Sequence, residues 1–156
     1  MTININEIPR GGTCMLCKAG LTVGGTSTKA RMDNPDSSAF ITFAINGITY
    51  SVADADNTIT LSGDTQAADT TCLYLVCLAT AGTGTVVKGV EVSTAALAAG
   101  TAQLHFPAPT VNTCPAGAIR VETTAAFIPG TTALDAGTVT DTYYDFFCIP
   151  VSPLTS

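Results

Sequence analysis

The cysteine pair in "CMLCK", Cys14 and Cys17, is the clearest candidate for chemistry in this sequence. Two Cys-x-x-Cys pairs can close a tetrahedral thiolate site around zinc, whereas one pair at the start of a helix supports thiol–disulfide exchange. Gly-rich segments flank this pair, and no strand-to-helix pattern surrounds it, which disfavours the redox role. The zinc hypothesis therefore depends on where the other cysteines lie.

The other cysteines do not form a matching pair. Cys72 and Cys77 lie five residues apart in the apolar run "TCLYLVCLAT", so in a strand their side chains point to opposite faces. We expect structural thiols or disulfides, and a zinc site combining the first pair with Cys114 and one more cysteine stays an alternative. The free, bridged or metal-bound state stays open for all six cysteines: Cys14, Cys17, Cys72, Cys77, Cys114 and Cys148.

Candidate ligands and bases other than cysteine are sparse. Asp54 and Asp56 in "ADADN" suggest calcium, but calcium takes about six to eight oxygen ligands and usually a closing Glu, which is missing at the required spacing. We interpret these residues as turn formers. His105 is the single histidine, and no nucleophile motif accompanies it in "LHFPAP". We therefore predict a protein that is not an enzyme and that holds no cofactor or metal.

The composition limits the classes of partner. Charged residues make up 12% of the chain, about half the usual share, so either other protein covers part of the surface or Thr, Ser and Asn build it. The net charge is −6, and six Lys and Arg residues are scattered singly, which argues against direct binding of nucleic acid or an anionic membrane. No secretory signal and no apolar run of membrane-spanning length is recognised, so we expect synthesis in the cytoplasm.

Short strands separated by turn residues dominate the pattern. In "FITFAINGITYSV", residues 40–52, apolar residues flank Asn46-Gly47 and predict a hairpin with a type I′ turn. Further strands are predicted at 58–63, 71–80, 85–93, 118–130 and 138–149, with a short helix at 93–100 and connections at "ADADNT" and "PAPTVNTCPAG". The spacing predicts an all-β fold, a small β-sandwich or barrel-like domain with an extended N-terminal arm.

The domain prediction divides the chain at residue 38. Residues 1–38 are rich in Gly, Thr, Asn and Ser and are predicted to form an irregular arm, whereas residues 39–156 form a β-domain with an extended C-terminal tail. Aromatic residues are enriched at interface cores, which makes "YYDFF" a second candidate contact beside the arm. The candidate interface residues are Ile3, Ile5, Ile8, Pro9, Tyr143 and Tyr144.

Three segments of the chain resemble a recurrent pattern in bacteriophage virion structural proteins. They are "NGITYSVADADNTITL", "YLVCLATAGTGTVVKG" and "IRVET…FIPGTTALDAG…T", within residues 40–145. The resemblance implies a β-rich protein of a phage particle, similar to capsid cement or decoration proteins. It further implies a homotrimer bound to the major capsid protein on the outer surface of an icosahedral head. The Cys-x-x-Cys pair is not part of this pattern.

The expected function is therefore structural. Bound to the capsid surface, the protein would stabilise the head by bridging adjacent capsomers. The alternative is a tail-fibre or head-fibre module that binds a host receptor. Neither function uses a catalytic residue.

Overall fold

The computed structural model describes residues 12–35 and 40–147, and most of their backbone is strand. In chain order the elements are β1 (Cys14–Met15), β2 (Leu21–Val23), β3 (Lys29–Met32), β4 (Phe40–Ile45), β5 (Ile48–Ala53), β6 (Ala55–Thr60), β7 (Thr70–Ala79), β8 (Gly84–Lys88), β9 (Val92–Ser93), α1 (Thr94–Ala98), β10 (Thr113–Thr123) and β11 (Val139–Asp145). The strands form three antiparallel sheets, which confirms the all-β prediction.

The three sheets enclose one main apolar core. The hairpin sheet has the order β1-β4-β5, the small sheet β2-β3-β6, and the main sheet β11-β10-β7-β8, with β9 also paired to β7. Phe43 of the hairpin sheet, Met32 of the small sheet and Tyr74 of the main sheet meet in this core, and all three are buried. The main sheet therefore packs against the two smaller sheets in a sandwich-like arrangement.

The main sheet is covered on its second face as well. Leu73 and Leu75 of β7 point away from the main core: Leu73 packs with Leu97 of α1 and Leu104, whereas Leu75 packs with Phe146, and Phe106 lies against both clusters. Strand β7 is thus buried on both faces, as its nearly continuous apolar sequence predicts. Each fully buried Leu side chain contributes about 1.5–3 kcal/mol relative to an exposed one, so this strand is the main source of core stability.

The predicted short helix is confirmed, and a glycine follows its C-terminus. Helix α1 follows Ser93, and Gly100 adopts a φ of 69° just after the helix. The N–H of Thr101 donates to the carbonyl of Ala96 at 3.0 Å, and the N–H of Gly100 donates to that of Leu97 at 3.0 Å. This pair of bonds is the Schellman arrangement, in which glycine accepts the left-handed conformation without strain.

The hairpin prediction is confirmed residue for residue around the turn. Strands β4 and β5 pair in continuous register, and Ile45 lies opposite Ile48. Asn46 and Gly47 have φ values of 52° and 81°, both positive, as a type I′ turn requires. The carbonyl of Gly12 accepts the N–H of Gly47 at 3.1 Å, which places Gly12, two residues before β1, against the turn.

Two segments of the predicted irregular arm, residues 1–38, form strands instead. Strands β2 and β3 pair with each other there, and Leu21 and Met32 are buried in the main core. They have three and four residues, too few for an alternating pattern to stand out among the surrounding glycines. Residues 1–11 and 36–38 of the predicted arm lie outside the described residues, as does residue 39.

Two predicted connections are strands instead. Strand β6 begins at Ala55, inside the predicted turn "ADADNT". Strand β10 begins at Thr113, inside the predicted Pro-rich connection, because the register shifts between Pro115 and Gly117 and this bulge accommodates a residue without an N–H. The last strand, β11, ends at Asp145, and the predicted end at Ile149 lies outside the described residues.

Candidate interaction surface

The Cys-x-x-Cys pair begins in β1, the first strand of the hairpin sheet, and its two cysteines have different surroundings. Cys14 is exposed on β1, whereas Cys17 is half-buried. The N–H of Thr42 donates to Cys17 Sγ at 3.1 Å, and the Cys17 thiol donates to the carbonyl of Thr42 at 3.6 Å. These two contacts tie Cys17 to β4, so the second cysteine of the pair has a structural role.

The three cysteines of the main sheet are buried. Cys72 faces the main core and Cys77 faces the opposite cluster, as strand geometry predicts. Burial raises the pKa of the Cys72 thiol to about 11, and burial together with the nearby Cys14 and Cys77 raises that of Cys114 to about 12. All five cysteines in the described part of the chain are free thiols. The three buried thiols, whose pKa values are raised, are protonated at neutral pH and are therefore poor nucleophiles and poor metal ligands.

The residues considered as metal ligands or catalytic groups do not lie together in one site. Asp54 accepts the N–H of Asn34 on Oδ2 at 3.2 Å, and the side chain of Asp56 lies outside the described side chains. His105 is exposed on the connection after α1. Within residues 12–35 and 40–147, no three His, Cys, Asp or Glu side chains are placed to hold a metal ion together.

The two candidate tyrosines pack on opposite faces of β11. Tyr143 lies against the main core, whereas Tyr144 lies against the clusters on the second face of the main sheet. Burial raises the pKa of the Tyr143 hydroxyl, and the Asp141 carboxylate raises it further. Both tyrosines are partly buried within the chain itself, while Phe147 beyond them is 59% exposed. The other four candidates, Ile3, Ile5, Ile8 and Pro9, lie outside the described residues.

The hairpin sheet presents a surface without charge. Its three strands read "CM", "FITFAI" and "ITYSVA", with no Asp, Glu, Lys or Arg among them. Ile41, Phe43 and Ile45 point into the main core, so the alternate residues of the hairpin face outward. Exposed apolar side chains are found at Leu16, just after β1, and at Phe40, the first residue of β4.

Charge is placed on the other two sheets. Lys88 at the end of β8 forms an ion pair with Glu91, and Arg120 on β10 pairs with Glu122. Glu91 also accepts the N–H of Ala67 at 2.9 Å, and these bonds hold its pKa below the ordinary value against the opposing effect of burial. The uncharged face of the hairpin sheet is therefore a local property and not just the average of a weakly charged chain.

The hairpin sheet also has an open edge at β5. Because Ile45 and Ile48 flank a two-residue turn and bond to each other, the hydrogen-bonded pairs recur at every second residue of the strand. The N–H and C=O groups of Thr49 and Ser51 then point away from β4. No described strand pairs with β5 on that side.

Comparison of the chain with protein-family models, with curated proteins and with solved structures finds no match. Among the described residues, no helix is long and apolar enough to cross a membrane. The function must therefore be inferred from the surface of the molecule itself.

One part of this surface could be read from the sequence and one could not. The lack of charged residues around Asn46-Gly47 is visible in "FITFAINGITYSV". That β5 is an edge is not visible, because the sheet order depends on pairing between β1 and β4, in which Cys14 lies opposite the distant Ala44.

Proposed function

We propose that this protein is a non-enzymatic structural component of a bacteriophage particle, of the capsid cement or decoration type. The observation that supports this is the uncharged hairpin sheet, with its open edge and the exposed side chains of Leu16 and Phe40. A contiguous exposed apolar patch on a soluble domain typically marks a protein contact. The virion assignment follows from the resemblance carried by residues 40–145.

The proposed mechanism is burial of interface area on a rigid block. The main core lies behind the hairpin sheet and holds its inward residues Ile41 and Phe43 without solvent exposure, so the outward face is presented on a stiff support. A stable protein interface buries about 1,200–2,000 Å² in total, which a small domain can supply with one face. Contact with two capsomers at once would clamp them together and raise the resistance of the shell to disruption.

Binding to heads that lack the protein tests the proposal. Purified protein is mixed with empty shells assembled from the major capsid protein of the same genome, and both co-sedimentation and the melting temperature of the shells are measured. We expect stoichiometric binding and a higher melting temperature. Absence of binding, or binding to a glycan array in its place, would contradict the cement function and favour the receptor-binding fibre module.

Two matched variants locate the contact. Leu16→Asp places a charge on the uncharged surface, whereas Val111→Asp places the same charge at an 86% exposed apolar residue on the loop before β10. We expect Leu16→Asp to weaken capsid binding by about tenfold or more, since a buried unpaired carboxylate is costly, and Val111→Asp to bind as the unmodified protein does. Equal binding by both variants would move the contact away from the hairpin sheet.

A further inference from the structure

Strand β5 has none of the features by which edge strands usually avoid pairing with other chains. Natural edges are short, bulged, charged or interrupted by proline. Strand β5 has six residues, "ITYSVA", and pairs with β4 in unbroken register from Ile48 to Ala53. It contains no charge and no proline.

The other edges in the described part of the chain are blocked in one of these ways. Strand β2 has three residues, and the N–H of Leu21 is already bonded to the carboxylate of Asp145. Strand β11 carries Asp141 and Asp145, and β8 ends in Lys88. Strands β1 and β9 have two residues each, and the sequence of β6 contains Asp56. The edge of β5 is therefore the one best suited to accept a further strand.

The strand is complementary to itself. If a second β5 lies antiparallel to the first with Ser51 opposite its own copy, Thr49 lies opposite Ala53, and the outward N–H and C=O groups of these residues face each other as hydrogen-bonded pairs. On the inner side, Tyr50 lies opposite Val52 of the other copy in both directions. An aromatic residue facing a β-branched one is a favourable cross-strand pair.

The inner side of β5 also continues the main core toward this edge. Tyr50 and Val52 pack partly against the core, and Tyr50 stacks on Phe43 with ring centroids 5.8 Å apart. Both side chains remain half-exposed, and Ile48 beside them is 60% exposed. In this register a second β5 would cover Tyr50 and Val52 with Val52 and Tyr50 of the other copy, whereas Ile48 would lie opposite Asp54, the residue just after the strand.

Charge favours a second copy as the occupant at this edge. The chain carries a net charge of −6, so two copies repel each other over most approaches. Approach through the hairpin sheet brings together three strands from each copy that contain no charged residue. A positively charged partner would find nothing to attract it at this edge.

We propose that two copies of this protein pair edge to edge through β5, antiparallel about a twofold axis at Ser51, so that their hairpin sheets form one continuous sheet. A strand edge that pairs with itself closes at two copies and leaves no further edge of the same kind. The trimer implied by the phage resemblance would need a different surface. The pairing does not depend on the proposed capsid function and can be tested without a capsid.

Sedimentation of the purified full chain over a wide concentration range is the primary test. We expect a reversible dimer that Ser51→Lys weakens at least about tenfold, because the two ammonium groups would face each other across the axis. Thr140→Lys is the matched control: Thr140 is exposed on β11 opposite Glu122, and the variant should dimerise normally. Circular dichroism confirms that both variants are folded.

Cross-linking gives a second measurement that does not need a destabilised variant. Hydrogen-bonded residues in antiparallel strands have Cα atoms about 5.5 Å apart, a separation at which a disulfide can form. Ser51→Cys should therefore give a covalent dimer on mild oxidation, at a yield well above that of the unmodified chain and of Thr140→Cys. If Ser51→Lys does not fold, this yield decides the question.

Several results would overturn the proposal. They are a monomer at all concentrations, a trimer, a dimer that Ser51→Lys leaves unchanged, and a Ser51→Cys variant that does not cross-link. Hydrogen exchange tests for another occupant: if the amides of Thr49 and Ser51 are protected in a monomer, a segment of the same chain covers the edge, and the proposal is wrong.

Discussion

The backbone N–H of Leu21 donates to Asp145 Oδ1 at 3.0 Å, and this bond joins the first strand of the small sheet to the last strand of the main sheet. The two residues are 124 positions apart in the chain. A carboxylate that accepts from a backbone N–H at a strand edge does the work of a ladder hydrogen bond. It fixes β2 against the main core, where the side chain of Leu21 is buried.

Removal of this carboxylate should destabilise the fold. A hydrogen bond to a charged group contributes about 1.5–3 kcal/mol, so Asp145→Ala is expected to lower the free energy of unfolding by an amount in that range. Asp145→Asn keeps an acceptor oxygen and should cost less. Urea denaturation measures both, with Asp135→Ala as the control at an exposed carboxylate. Equal losses for Asp145→Ala and Asp135→Ala would show that the bond to Leu21 contributes nothing.

Gly117, which lies opposite Asp145, is a second position at which a substitution should destabilise the fold, in this case through a steric clash. A β-carbon at Gly117 would lie 2.3 Å from the carbonyl oxygen of Tyr144 and 2.4 Å from Leu21 Cδ1. Gly117→Ala should therefore push β10 and β11 apart and cost about 1–3 kcal/mol or more. Gly137→Ala is the matched control, because nothing lies within 4 Å of its added carbon, and it should change stability by less than about 0.5 kcal/mol. Thermal unfolding of the two variants side by side checks the difference.

The buried thiols predict a loss of stability at alkaline pH. Burial raises the pKa of Cys72 from the ordinary 9.0 to about 11 and that of Cys114 to about 12. Above pH 9 the unfolded chain therefore releases these protons while the folded chain keeps them. Their contribution to stability is complete below pH 9 and is lost as pH rises through 11 to 12, by about 1.4 kcal/mol per pH unit for each thiol.

Guanidinium denaturation at a series of pH values measures this effect. The free energy of unfolding should fall between pH 9 and pH 11, and Cys72→Ala, although less stable at neutral pH, should show a shallower fall. A slope that Cys72→Ala leaves unchanged would mean that this thiol does not titrate differently in the two states.

Local patterns predict the parts of this fold that local chemistry determines. Asn46-Gly47 predicts its turn because two positive φ angles suit those residues, and β7 is predicted because an apolar strand of ten residues has no other stable place than the core. Strands β2 and β3 could not be predicted, since Leu21–Val23 is held by the distant Asp145 and not by its own sequence. The start of β10 at Thr113 depends on the bulge after Pro115, another long-range feature.

Part of the candidate interaction surface could likewise be predicted from local sequence, and part depends on long-range contacts. The residue types of the hairpin predict an uncharged surface, but only the sheet order makes Thr49 and Ser51 an open edge. Tyr143 and Tyr144 are a further case. Their aromatic sequence predicts an interface, and this stays a prediction: β11 places one on each face of the main sheet, where each is partly buried by its own chain.

Among single polar side chains, we expect substitution of the buried Gln66 to lower the free energy of unfolding most. It has no solvent exposure, its amide donates to the carbonyls of Thr70 at 3.1 Å and Val121 at 3.0 Å, and its oxygen accepts the hydroxyl of Tyr74 at 3.1 Å. Gln66→Leu would leave these three groups without their partner and should cost about 2–4 kcal/mol. Gln103→Leu, at an exposed glutamine after α1, is the control and should be nearly neutral.

A double-mutant cycle separates the hydrogen bond to Tyr74 from the rest of this network. Tyr74→Phe removes the hydroxyl and leaves the side-chain oxygen of Gln66 unpaired, which should lower the free energy of unfolding by about 1–2 kcal/mol by itself. Once Gln66 is Leu, Tyr74→Phe should cost much less, because the buried hydroxyl no longer has an acceptor to lose. Urea denaturation of the four proteins gives the coupling energy. Additive losses would show that the two side chains do not depend on each other and that the bonds to Thr70 and Val121 carry the whole effect.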